Sequence, residues 1–414
     1  MRTEKYGAFL SGLCGVAVAL GMMASIAQGA VSTERGASIL AFPKVLANGP
    51  SDTIIQITNI SNNMVHAECF YVNASKDPIT HKPIWQVTDF TIWLTKQQPT
   101  HWQVSTGRFV NPNDSCIVNG QIVPSPDCDD AGIDPGAIPP VPEGFVGELK
   151  CVEVDVADNP IGGNHFKGEA TIRTNGDAAK YNAIGIEGTD MAGATGNELL
   201  LNQPIDSTDV VGQYDACPNV LLLNHFADGV TDPFILAQGL GGTCDIKSIT
   251  PIPCQSDEDC PPGGTCRNPP QILDSNDNID LISATVTDLT LIPCNEDFED
   301  STPSSATVQF QIFNEFEQMF SRSITVTCWT DIFLFQIDSP KDPFMSVFSF
   351  PVLGTTVGHT RIVPVDGGVL GVAGVTRADA QGNTARVALN LHMEGDRFTG
   401  SGGTVVDKVT IPGN

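Results

Sequence analysis

The chain reads as an all-β protein built from two β-sandwich domains. Period-two alternation is the first sign: Thr53, Ile55 and Ile57 alternate with Ile54, Gln56 and Thr58, and Val65, Ala67, Cys69 and Tyr71 alternate with His66, Glu68 and Phe70. Such spacing marks half-buried strands. A looser echo runs from Thr307 to Trp329, and both stretches read as β-hairpins, each leaving a cysteine before an aromatic. The second sign is the absence of any sustained helical repeat beyond the apolar N-terminal run. The third is composition: 40 glycines and 29 prolines in 414 residues supply turns, and 41% hydrophobic residues can fill cores.

In chain order, Arg2 and Lys5 precede an apolar run from Ala8 to Ala27 and the small residues Ala27 to Ala30. This is the pattern of a secretory signal peptide over residues 1–30, with an uncleaved anchor helix as the alternative. Residues 31–243 are then expected to form the first sandwich with long loops. Ser38 to Phe42 reads as a strand stopped by Pro43, Asp89 to Leu94 as the next after the hairpin, and Gly144 to Val156 as another. Asn111 to Pro142, with Cys116 and Cys128, reads as a long loop stapled on itself. Gly168 to Arg173 and Val220 to His225 have strand character, and Asn175 to Gly196 reads as an exposed excursion.

Residues 244–274 hold Cys244, Cys254, Cys260 and Cys266 among prolines and glycines, a disulfide-rich connector rather than a core layer. The second sandwich is expected over 275–414. Four blocks of the first half recur in order: Ile39 to Pro43 with Thr290 to Pro293, the two hairpins, Asp89 to Leu94 with Asp331 to Phe335, and Gly144 to Val152 with Gly368 to Val375. Four ordered echoes point to a duplicated β-domain.

Twelve cysteines, eleven once Cys14 leaves with the leader, point to disulfides in an oxidising compartment. The candidates are Cys69, Cys116, Cys128, Cys151, Cys217, Cys244, Cys254, Cys260, Cys266, Cys294 and Cys328. An odd number leaves one thiol buried and free, or paired between chains. The Cys254-x5-Cys260-x5-Cys266 spacing is also open to zinc, although zinc modules pair ligands two to four residues apart.

Forty-eight acidic against 21 basic residues give a formal charge of −27, which has the wrong sign for nucleic acid or an anionic membrane. Asp274, Asn276, Asn278 and Asp280 begin like a calcium loop, but glycine is missing at the sixth position and Thr285 stands where a bidentate glutamate belongs. Asp127 to Asp134 and Asn295 to Asp300 offer further oxygens. No nucleophile elbow, zinc helix or phosphate loop is present. Glu148, Glu315 and Glu317 are the carboxylates to weigh for glycosidase chemistry. His165 and His225 share an Asn-His-Phe setting and are weighed as a ligand pair against locally bonded histidines. Phe70, Trp93, Trp102 and Trp329 are weighed as a sticky surface against buried packing.

The phrases DTIIQITNISNN, GFVGELKC, FNEFEQMFS and HTRIVPVDGGVLGVA resemble those of uncharacterised exported bacterial β-proteins, and CQSDEDCPPGGTC is similar to a short disulfide motif common among them. The resemblance implies Ig-like sandwich architecture outside the cytoplasm and assigns no catalytic residue. The expectation is a secreted, periplasmic or cell-surface structural or binding protein without catalysis or a cofactor. Its partner would be an extracellular protein, a glycan or a second copy, with no membrane span after leader removal. An extracellular polysaccharide hydrolase and a calcium-stabilised adhesin are the alternatives.

Overall fold

The computed structural model describes residues 31–77, 79, 83–109, 116–118, 121–123, 134–174, 176–189, 196–203, 213–228, 242–244, 253–254, 256–267, 285–341, 345–378, 384–397 and 407–413. The leader, Cys128 and the Asp274 to Asp280 segment lie outside these residues. The described residues are nearly all-β, arranged mainly as several antiparallel sheets packed on one another. One short α-helix, Phe350–Leu353, is among the described elements. None of their helices is long and apolar enough to cross a membrane.

The first sandwich is one sheet that turns a corner. Its order runs Asp177–Asn182, Phe166–Thr174, Ser51–Asn59, Ile39–Ala47, Phe145–Val154, Val65–Asn73, Gln86–Leu94. Ser51–Asn59 and Ile39–Ala47 pair only at Ala47 and Asp52, so the sheet folds there and its two parts close over a core. Ile55, Ile57, Trp102 and Ile172 from one layer meet Phe42, Tyr71, Ile92 and Leu149 from the other. Burying each such side chain contributes about 1.5–3 kcal/mol, which is why the alternation dictates the layers.

Three expectations are corrected here. Pro43 does not stop the first strand, which runs Ile39–Ala47. Its pairing with Phe145–Val154 shifts register between Phe42 and Val45, and a proline, lacking an N–H, is accommodated at such an irregularity. The first alternating pair is also not a hairpin. Ser51–Asn59 pairs with Phe166–Thr174 and Pro99–Gln103, whereas Val65–Asn73 pairs with Phe145–Val154 and Gln86–Leu94. The Asn59 side-chain amide donates to Asn63 O at 2.6 Å and Thr95 O at 2.8 Å, holding a turn that carries the chain across the sandwich. Asn175 to Gly196 is no simple excursion either, since Asp177–Asn182 and Ile184–Ile186 are strands of this sheet.

The second copy is a true hairpin. Ser305–Asn314 pairs with Met319–Thr327 along its length, and the turn is short because Asn314 Oδ1 accepts the Phe316 and Gln318 N–H groups at 3.0 and 2.9 Å. This hairpin joins Val357–Asp366, Pro218–Phe226 and His392–Asp396 in one sheet. The opposing sheet is Thr330–Phe333, Thr285–Pro293, Val369–Ala378 and Thr384–Asn390. Leu223, Leu289, Val308, Phe310 and Ile362 fill the space between them. Pairing therefore crosses the boundary expected at 244–274, because Pro218–Phe226 belongs to the second sandwich and Glu198–Gln203 pairs with Asp407–Thr410. Ile39–Ala47 pairs antiparallel with Phe145–Val154 and Thr285–Pro293 with Val369–Ala378, but the two stretches expected to correspond as hairpins are paired differently.

A third core joins the halves. Ile39, Phe70, Val72 and Val152 from the first meet Ile292, Phe298, Leu370 and Val409. Phe70 and Phe298 stack with ring centroids 4.5 Å apart. At the margin, Trp329 Nε1 donates to Pro43 O at 2.8 Å, and Asn182 and Asn390 exchange hydrogen bonds at 3.0 and 2.7 Å.

Candidate functional site

The charged residues of Phe145–Val154 are buried in this joining core. Glu148 and Lys150 sit two apart and share a face, and the strand pairing sets Lys150 opposite Phe70 and Ala41. Lys150 Nζ donates to Glu148 Oε2 at 3.2 Å, to Glu296 Oε2, and to Pro293 O at 3.4 Å. Glu148 is fully buried, and Lys150 and Glu296 are 1% and 3% exposed. Oε1 of Glu148 and Oε1 of Glu296 have no hydrogen-bond partner. Burial, then repulsion from Glu148, holds the Glu296 carboxyl well above the carboxylate range against the pull of Lys150. Burial disfavours the Lys150 ammonium, but Glu148 and Glu296 outweigh it and its pKa is raised. Glu148 thus faces no cleft. Glu315 and Glu317 occupy the exposed hairpin turn, so the three carboxylates weighed for hydrolysis are not brought to one surface.

The second polar cluster is Ser38, Glu153, Asn164 and His165. His165 Nδ1 lies 2.6 Å from Glu153 Oε1, and Ser38 Oγ donates to Asn164 Oδ1 at 3.0 Å and to Glu153 Oε2 at 3.4 Å. The serine thus bonds the acid rather than the imidazole, which is not the relay that activates a nucleophile. Gly163 lies close beside it, and a Cβ there would stand 2.1 Å from Glu153 Oε1 and force that side chain to shift. His225 is elsewhere, buried, with Nε2 3.0 Å from Thr360 Oγ1 and Nδ1 3.1 Å from Phe226 O. The two histidines share no partner and form no ligand pair.

Eight candidate cysteines are joined as Cys69–Cys151, Cys217–Cys294, Cys244–Cys260 and Cys254–Cys266. Among the described residues Cys328 is a buried free thiol, its pKa pushed up to about 12 by burial and then by Glu148 and Glu296. Cys116 lies on a short described strand, but its side chain and Cys128 fall outside the described residues. The sulfurs of Cys244, Cys254 and Cys260 lie within 4.8 Å of one another, close enough to hold a metal if reduced. As disulfides they offer no thiolate. In the Asn295 to Asp300 segment, Glu296 is committed to Lys150 and Asn295 Nδ2 donates to Asp407. Asp134 pairs with Arg108. The calcium candidates Asp274, Asn276, Asn278 and Asp280 fall outside the described residues.

The aromatics weighed as a sticky surface are packed. Phe70 and Trp102 are buried, Trp93 stacks on His66 at 3.8 Å, and Trp329 packs between the cores. The open apolar surface lies elsewhere, in a groove of about 530 Å³ lined by Phe226, Phe313, Val357, Val375, Val387 and Leu389. Phe226 and Val387 are 36% and 57% exposed. Its polar margin is Asn224, Glu315 and His359, with His359 Nδ1 2.9 Å from Asn224 Oδ1. Burial, then Arg361, keeps His359 below its ordinary pKa. Sequence reading missed this groove because its residues come from five strands. The buried trio was not legible either, because Lys150 and Glu296 lie 146 residues apart and only the fold brings them together.

Comparison with known protein families and with curated proteins returns no match.

Proposed function

We propose that this is an exported structural or binding protein that holds a protein partner through the groove around Phe226 and Val387, without catalysis. The single supporting observation is the contrast between two places. The ionisable clusters described above are spent on internal pairing, while this groove, one of several concavities among the described residues, is lined mostly by apolar side chains. A glycan would need a polar, hydrogen-bonding floor, so the groove chemistry favours an aliphatic or aromatic side chain of a protein. The charge of −27 favours a neutral or basic partner over a second copy of the same acidic chain.

Chemical cross-linking on intact producing cells tests this, with recovery under non-reducing conditions and mass spectrometry. A distinct protein lost in the Val387→Asp variant is the expected result. A ladder of the chain's own multiples would replace the partner by self-assembly, and a bare monomer would overturn the reading.

A further inference from the structure

We propose that Lys150 and Glu296 form an autocatalytic isopeptide bond inside the joining core, with Glu148 as the proton carrier. Three observations carry this. Lys150 Nζ touches both carboxyl groups, all three side chains are buried, and the two glutamates face each other closely enough to share a proton, with neither Oε1 meeting another hydrogen-bond partner. An ion cluster in that state is costly to keep, because charges removed from water need every oxygen and proton partnered. An amide is neutral and removes the charge from the core.

The chemistry balances within the trio. Glu148 accepts a proton from the Lys150 ammonium, leaving a neutral amine. The amine nitrogen attacks Cδ of Glu296, whose carboxyl is pushed toward its protonated form chiefly by burial. The C–O bond to the hydroxyl breaks, Glu148 hands its proton to that hydroxyl, and one water leaves. The nitrogen returns its extra proton to Glu148, and an N–C bond replaces the ion pair with no change in net charge. No oxidant or co-reactant is needed. Effective molarities on the order of 10⁵–10⁸ M for well-oriented groups make a reaction between fixed neighbours feasible where it is slow in solution.

The bond would tie the Phe145–Val154 strand to the Glu296–Asp297 strand, residues 146 apart in sequence, and so staple one sandwich to the other.

Peptide mapping of the purified protein, reduced and digested with trypsin, decides the matter. Trypsin cuts after a free lysine, so an acylated Lys150 is passed over. The expected product is one branched peptide containing Lys150 and Glu296, lighter by one water than its two components. Recovery of peptides cleaved at Lys150, with Glu296 unlinked, would overturn the proposal. In Glu148→Ala, folded as judged by its intact Cys69–Cys151 bond, the link should be lost; a fully linked Glu148→Ala chain would remove Glu148 from the reaction.

Discussion

Asp228 shows how single residues set the response of the protein to pH. It is buried, and its carboxylate accepts the Thr287 and Phe335 N–H groups at 3.4 and 3.1 Å. Burial dominates these bonds and pushes its pKa up to about 8. Asp215 rises to about 8 through burial and then Glu187, and Glu68 to about 7 through burial and then Asp158. A carboxyl raised in the folded state contributes stability that is full below its unfolded pKa and is lost as pH rises through the folded one. The melting temperature should therefore fall between about pH 4 and pH 8, and Asp228→Asn should flatten that slope; an unchanged slope in thermal melts would count against this. His225 acts in the opposite sense. Burial lowers it to about 4, so its share of stability is lost as pH falls from about 6.5 toward 4. With that opposing contribution removed, thermal melts of His225→Gln should gain stability more steeply as pH falls through that window. The titrating carboxyls were not legible in the sequence, since Asp228 looks like any loop aspartate until Thr287 and Phe335 close over it.

Elements differ in how much their cross-links hold. Cys69–Cys151 and Cys217–Cys294 close loops of 82 and 77 residues, whereas Cys244–Cys260 and Cys254–Cys266 close 16 and 12. Removing the Cys217–Cys294 bond by paired serine substitution should cost about 2–5 kcal/mol in denaturant unfolding. Removing Cys244–Cys260 should leave the global transition nearly in place, because it ties a small local knot outside the three cores. Strand existence was largely legible, as at Ser305–Asn314, where alternation and burial coincide. Strand pairing was not. The same alternation in Thr53 to Val72 fits a hairpin and a chain crossing between layers equally, and the choice rests on bonds from Asn59 to residues more than thirty positions away. The aromatics were legible only as apolar; whether Trp102 faced solvent or Tyr71 depended on a layer the local sequence does not show.

At the scale of the molecule, the joining core makes the two sandwiches one cooperative body. Phe298, 3% exposed and stacked on Phe70, lies at its centre. Phe298→Ala should destabilise by about 3–5 kcal/mol and shift the unfolding of both halves together in calorimetry. Two separated transitions, with only one displaced, would refute the coupling. The same core sets an order of assembly. The first sheet draws its strands from residues 31–186, so it can close while later sequence is still being made. Glu198–Gln203 must wait for Asp407–Thr410, and Pro218–Phe226 for Val357–Asp366 and His392–Asp396. An early-finished first sandwich thus carries a greasy, half-covered flank for the time taken to add some two hundred residues, a window in which a holding chaperone has most to gain.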